Sequence, residues 1–87
     1  MTDQFHDTME FIGNKDDATR ILHQVIDALK EKGYSPSNQL VGYLISGDPS
    51  YITSYKDARN LIQNVERDEL MELVIRFYIE NMDNAVK

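Results

Sequence analysis

The stretch Ser35-Pro36-Ser37-Asn38-Gln39-Leu40-Val41-Gly42-Tyr43-Leu44-Ile45-Ser46-Gly47-Asp48-Pro49 decides the fold class. Ser35 followed by Pro36 is a helix start. The serine caps a free backbone N–H, and the proline occupies the first turn, where its missing N–H costs nothing. Leu40, Val41, Leu44 and Ile45 keep helical spacing, and Gly47 supplies the left-handed residue that ends a helix. Asp48-Pro49 repeats the start signal, so Ser50, Tyr51 and Ile52 read as one short turn. Start, stripe, stop and restart follow one another without space for a strand.

Upstream, Asp16 or Asp17 can cap a helix whose apolar positions are Ala18, Ile21, Leu22, Val25 and Leu29. Lys30 and Lys32 suit its C-terminal end, and Gly33 is its stop. Downstream, Ser54-Tyr55-Lys56-Asp57 resembles a capping box, with an acid three residues after the serine. Ala58, Leu61, Ile62 and Val65 form a stripe whose next members fall on Asp68 and Glu69. The apolar pattern restarts at Leu70, Leu73, Val74, Phe77 and Tyr78, about one position out of phase. A straight helix would aim the two stripes in different directions. The spacing therefore predicts a break near Glu66 to Asp68, with Asp68 capping the final helix. Residues 1–15 show no helical period and are interrupted by Gly13-Asn14. The expectation is an all-α, compact bundle of four or five short helices over residues 16–81. A flexible N-terminal arm over 1–15 precedes it, and a disordered tail over 82–87 follows.

The 87 residues leave room for one domain and one core, with hydrophobic residues at 41%. A domain this small is marginal alone, which favours self-association. The net charge of -6 argues against non-specific nucleic-acid binding and against a polybasic membrane anchor. Residues 1–17 alone carry Asp3, Asp7, Glu10, Asp16 and Asp17 against Lys15, a local charge of -4. With no cysteine there is no disulfide framework, zinc ribbon or thiol nucleophile. No secretory signal or long apolar run is visible, so the expected compartment is the cytoplasm.

No reactive constellation emerges. His6 and His23 are too few and too far apart for a metal site and read as surface histidines. Ser46-Gly47-Asp48-Pro49 lacks the repeated glycines and the lysine of a phosphate loop. Asp68, Glu69 and Glu72 suit a helix N-terminus without any acid–base role. No catalytic residue, cofactor or metal is expected. Tyr34, Tyr43, Tyr51, Tyr55 and Tyr78 are many for this length, and either complete a small core or serve a partly wet interface. Arg59 and Arg67 have acidic neighbours in Asp57, Glu66 and Asp68, which are expected to occupy them. The surplus of large side chains points to a homodimer, with Tyr43, Leu44, Leu73 and Phe77 as candidate interface residues.

The string from Gly33 to Ile52, with its Gly42-Tyr43-Leu44-Ile45-Ser46-Gly47-Asp48-Pro49-Ser50-Tyr51-Ile52 core, resembles the central block of the IreB-like regulatory phosphoproteins of Gram-positive bacteria. The similarity continues through Lys56 to Ile62 and Glu66 to Leu70, and Thr8-Met9-Glu10-Phe11 looks like the family's N-terminal element. The resemblance implies a cytoplasmic helical homodimer without enzymatic activity. It also implies a substrate of a transmembrane Ser/Thr kinase and its phosphatase, acting as a negative regulator of the response to cell-wall stress and antibiotics. Thr8 falls on the family's phosphorylated position, whereas Thr2 has no secure counterpart. Ser35-Pro36-Ser37 and Thr53-Ser54-Tyr55 depart from the family pattern, the latter by losing positive charge near a turn. A structural or adaptor module without phosphorylation control is the alternative.

Overall fold

The computed structural model describes the backbone of residues 2–82 and the side chains of residues 17–82. Four α-helices follow one another: α1 (Thr2–Glu31), α2 (Pro36–Ser46), α3 (Ala58–Ile62) and α4 (Arg67–Glu80), with 3-10 turns at Pro49–Tyr51 and Tyr55–Asp57. No strand occurs among the described residues. The fold is all-α, and none of the described helices is long and apolar enough to cross a membrane.

Local chemistry sets the helix ends. Gly33 takes φ +83°. The amides of Gly33 and Tyr34 donate to the Lys30 and Leu29 carbonyls at 3.0 and 2.9 Å, which closes α1 in a Schellman motif. Ser35 caps α2, its hydroxyl accepting from the Asn38 amide at 3.4 Å. Gly47 (φ +77°) ends α2, its amide donating to the Tyr43 carbonyl at 2.7 Å. Asp48 caps the Pro49–Tyr51 turn by accepting from the Ser50 amide and hydroxyl at 3.0 and 2.9 Å. Those two bonds hold its carboxyl below the usual carboxylate range.

Three expected helix starts differ. Helix α1 is continuous from Thr2, so positions 16 and 17 lie inside it rather than at its start. Ser54 makes no capping bond; the Thr53 hydroxyl accepts from the Tyr55 amide at 3.1 Å in its place. The reason is that Lys56 (φ +53°) and Asp57 (φ +62°) are both left-handed, so the chain turns away before α3 begins. The break before α4 exists, but its N-cap is Glu66, with Asp68 in the first turn. The side chains of the segment expected as an arm over 1–15, Thr8, Thr2 and His6 included, lie outside the described residues. So does the tail beyond Met82.

The core is built around one face of α1. Ala18, Ile21, Val25, Ala28 and Leu29 recur at helical spacing and are buried against Tyr43, Ile52, Ala58, Ile62, Val65 and Leu70. Among these helices α1 packs most extensively on α3. Leu70, in the first turn of α4, is the last buried residue of the chain as described.

Candidate functional site

The most distinctive stretch of sequence, Gly42 to Ile52, turns out to be a tightly tied corner. The Tyr51 ring lies against the backbone of Gly42, where an added Cβ would stand 2.4 Å from a ring carbon. Gln39 donates to the Tyr51 carbonyl at 2.9 Å, and the Ser46 hydroxyl donates to the Gly42 carbonyl at 2.7 Å while accepting from the Asp48 amide at 3.0 Å. Two arginines complete the corner. Arg67 lays its guanidinium against Gly47 and donates to the Leu44 carbonyl at 3.0 Å; Arg59 donates through Nε to the Ile52 carbonyl at 2.8 Å. These carbonyl contacts replace the acidic partners expected for Arg59 and Arg67. The ion pairs among the described residues are elsewhere: Arg20–Asp17 at 3.2 Å, Lys56–Glu31 at 3.2 Å and Arg76–Glu72. Ser46-Gly47-Asp48-Pro49 is thus an architectural joint, as its stop-and-start reading implies.

A second tie joins the end of α1 to the left-handed turn. Tyr55 donates its hydroxyl to Glu31 at 3.0 Å, and Lys56 donates to the other Glu31 oxygen at 3.2 Å. Lys32 and Lys56 both hold their ammonium groups over the Tyr55 ring, 5.1 and 5.5 Å from its centre. The Tyr55 hydroxyl, followed by Lys56, pulls the Glu31 carboxyl below its ordinary range, and Glu31 raises Lys56. Glu31 and Lys56 of this clasp are exposed, and Tyr55 is half-buried against the core.

A large apolar surface also remains exposed. Two adjoining hollows of about 350 and 430 Å³ run between α1, α2 and α4 and share Leu22, Ile26 and Val74. The first is walled by Leu40, Val41, Leu44 and Leu70, the second by Thr19, His23, Leu73 and Phe77. Val41 and Ile45 project at the α2 rim, Ile45 with 78% of its surface open. Helix α4 adds more: beyond Leu70 it exposes Met71, Val74, Ile75, Phe77, Tyr78 and Ile79, with Phe77 and Tyr78 at 66% and 67%. At about 100° per residue these positions and Leu73 cover roughly two-thirds of the helix circumference. Only Glu72, Arg76 and Glu80 form a polar strip between them. An apolar face of this extent marks a site for another macromolecule.

Leu44 and Leu73 are half-buried walls of that groove and Phe77 is its open end, so three of the four candidate interface residues come together. Tyr43 is 5% exposed and sits inside the protomer's own core. The tyrosines divide between the two readings: Tyr43 fills the core, Tyr55 serves the clasp, and Tyr34, Tyr51 and Tyr78 are exposed. His23 is exposed at the groove. Sequence reasoning missed Val41, Ile45, Met71, Ile75 and Ile79 as surface residues. The signal available was the excess of apolar positions in α4 over what one helix face can bury.

No group of three or more histidine, aspartate and glutamate residues able to hold a metal ion occurs among the described residues. Comparison with known proteins adds a relationship. The family described as IreB regulatory phosphoprotein matches residues 4–80. A protein of Ruminiclostridium cellulolyticum, named UPF0297 protein, is 57% identical over 70 residues, which is 80% of each chain.

Proposed function

We propose that this chain, which belongs to the IreB family of regulatory phosphoproteins, is a non-enzymatic signalling regulator of the cytoplasm, switched by phosphorylation of Thr8. Its kinase would be a transmembrane Ser/Thr kinase opposed by a phosphatase, and its role would be to restrain the response to cell-wall stress and antibiotics. Thr2, which has no secure counterpart in the family pattern, is a second candidate position only. The observation that carries the reading is the family match across residues 4–80. The apolar groove supports it from the physical side, since a regulator without chemistry of its own acts through the proteins it touches. The same surface supports a homodimer that uses Leu44, Leu73 and Phe77.

A phosphate adds about -1.5 to -2 charge units at pH 7. It would join a segment whose local charge is already -4. Repulsion from those acids keeps the phosphate from docking on its own segment and leaves it to a receiver elsewhere. Arg59 and Arg67 are committed to the Ile52 and Leu44 carbonyls, so the receiver is another protein. On this reading modification leaves the helical core unchanged and alters which partner is bound.

The experiment is phosphoproteomics of the host under cell-wall stress, followed by amide spectra of unmodified and phospho-Thr8 protein. Phosphate on Thr8 with shifts confined to residues 1–15 is expected. Absence of phosphate under stress favours the adaptor alternative. Widespread shifts over residues 56–70 would show that the phosphate docks on the core.

A further inference from the structure

The turn that leads into α3 stands in a conformation its own sequence does not favour. Ser54-Tyr55-Lys56-Asp57 spells a helix start, with serine at the cap and an acid three residues on. The observed backbone makes no such start. Ser54 forms no capping bond, and the Asp57 carboxylate accepts from Asn60 Nδ2 at 2.9 Å. Lys56 and Asp57 are left-handed in tandem, and they are the non-glycine residues of positive φ among those described. That conformation disfavours an L-residue roughly tenfold at each position, less for aspartate than for lysine. Local preference and structure conflict here, and such a conflict persists only where a contact from elsewhere decides it.

We propose that residues 54–57 form a two-state element, cocked in the left-handed turn while Glu31 grips it and otherwise joining α3 as its first helical turn. Glu31 is the latch. It ends α1 and accepts from both Tyr55 and Lys56, which lie 24 and 25 residues further along the chain. The bonds within the turn do not fix its hand. The Asp57 amide donates to the Ser54 carbonyl at 3.0 Å, and Asn60 donates to Asp57. Both join residues three apart, a spacing that a right-handed helical turn also satisfies. The grip on Glu31 is different. Consecutive helix positions diverge by about 100°, which sets the Tyr55 and Lys56 side chains apart and opens the two-point hold. In return Ser54 becomes a cap, Asp57 takes the matching acid position, and the five-residue α3 grows by one turn. Strain on one side thus offsets a solvent-exposed grip on the other, and exposed grips are weak. The switch is thrown by chemistry that competes for the latch: a cationic side chain of another molecule taking Glu31, or neutralisation of the Lys56 ammonium. Throwing it withdraws the Tyr55 ring from under Lys32 and alters the face presented at the end of α1. A partner that reads one face only is admitted or refused by this turn. The device requires neither Thr8 nor the apolar groove.

Three substitutions test this. Glu31→Gln releases the latch, Lys56→Gln removes its charge, and Ser54→Ala removes the cap of the alternative state. All three residues are exposed, so folding is little disturbed, and circular dichroism verifies it. Amide NMR reads the turn directly, because a close approach of a residue's own amide and α protons marks positive φ. Glu31→Gln should move the balance about tenfold toward the helix. That signature then fades at Lys56 and Asp57, and helical Cα shifts appear over residues 55–57. Lys56→Gln should act in the same direction and less strongly, because the Tyr55 bond remains. Ser54→Ala should be silent in the parent chain, where Ser54 caps nothing, and should bring the left-handed signature back in the Glu31→Gln background. An unchanged signature in Glu31→Gln would overturn the proposal by showing that the turn holds itself. Shifts of an unfolded chain over residues 54–57, without helix, would overturn it as well, since Glu31 would then restrain a loop and not a switch. So would a Ser54→Ala effect of equal size in both backgrounds.

Discussion

The corner from Gly42 to Ile52 and the helix α4 are similar in length and opposite in character. In the corner, side chains are matched to particular backbone groups: Tyr51 to Gly42, Ser46 to Gly42 and Asp48, Arg67 to Leu44, Arg59 to Ile52. In α4 Leu70 is buried and Leu73 half-buried against the core, and the rest of the helix turns large apolar residues outward. Apart from Leu44 and Ile45, which face the groove and the α2 rim, the corner is tied within the protomer, whereas the outer side of α4 is open to association. The contrast separates two reasons for a residue to matter. A change in the corner acts on the fold, and a change in α4 acts on what the fold can bind.

The largest effect that tests this contrast comes from comparing Ile52→Ala with Ile79→Ala. Ile52 is fully buried, so its truncation should cost about 2–5 kcal/mol in urea unfolding. Ile79 is 59% exposed, and in dilute protein its truncation should stay within about 0.5 kcal/mol. A loss at Ile79 as large as that at Ile52 would break the comparison, because it would make the outer face of α4 part of the protomer's own stability. Next comes Gly42→Ala. The added methyl would meet the Tyr51 ring and should cost about 1–3 kcal/mol through overpacking, with most of the cost removed in the Gly42→Ala/Tyr51→Ala double variant. A double variant no better than the single would locate the cost elsewhere.

Gly47→Ala is a smaller case. The left-handed backbone penalises a side chain by about 1–2 kcal/mol, and the new Cβ would approach the Arg67 guanidinium to 2.9 Å. Thermal melting should fall by several degrees for a domain of this size. An unchanged midpoint would show that the corner tolerates slack. Smallest is the pH response of the clasp. Glu31 titrates below its ordinary value of 4.5 because Tyr55 and Lys56 bond its carboxylate. A carboxylate depressed in the folded state adds stability that is present above its ordinary value and lost as pH falls through the folded value. Glu31→Gln should therefore lower stability slightly at neutral pH and flatten the acid limb of the stability profile. Lys56 is raised by Glu31, so its contribution holds below its ordinary value and fades at strongly alkaline pH. An acid limb identical in the parent protein and in the Glu31→Gln variant would remove the clasp as a source of pH dependence.

How much of this was legible depends on how far apart the interacting groups lie in the chain. Gly33, Ser35-Pro36, Gly47 and Asp48-Pro49 act on neighbours within a few residues, and the sequence announces them directly. The phase slip between Val65 and Leu70 likewise reveals the break before α4. Other features depend on distant segments meeting. Arg67 reaches a carbonyl 23 residues away, and Tyr55 reaches a carboxylate 24 residues away. Nothing local distinguishes those contacts from pairing with adjacent acids. The paired left-handed residues Lys56 and Asp57 carry no glycine to signal them, and so the capping box that the local sequence spells at Ser54 does not form. For the groove, sequence supplied Leu44, Leu73 and Phe77. It could not separate them from Tyr43, because burial depends on which helix lies across each face.

The exposure of most of α4 past Leu70 has a consequence for lifetime. A helix of 14 residues is near the limit of what stands alone in water, and this one has few native contacts of its own to hold it. Its amides should exchange with solvent through local opening long before those of α1 or α3. Wherever a covering surface is scarce, proteases would find this end of the chain first. Where it is abundant, mass action would hold α4 closed. The concentration of whatever covers the helix would then set how long the protein persists, so abundance and turnover would be tied together through a single unpacked element.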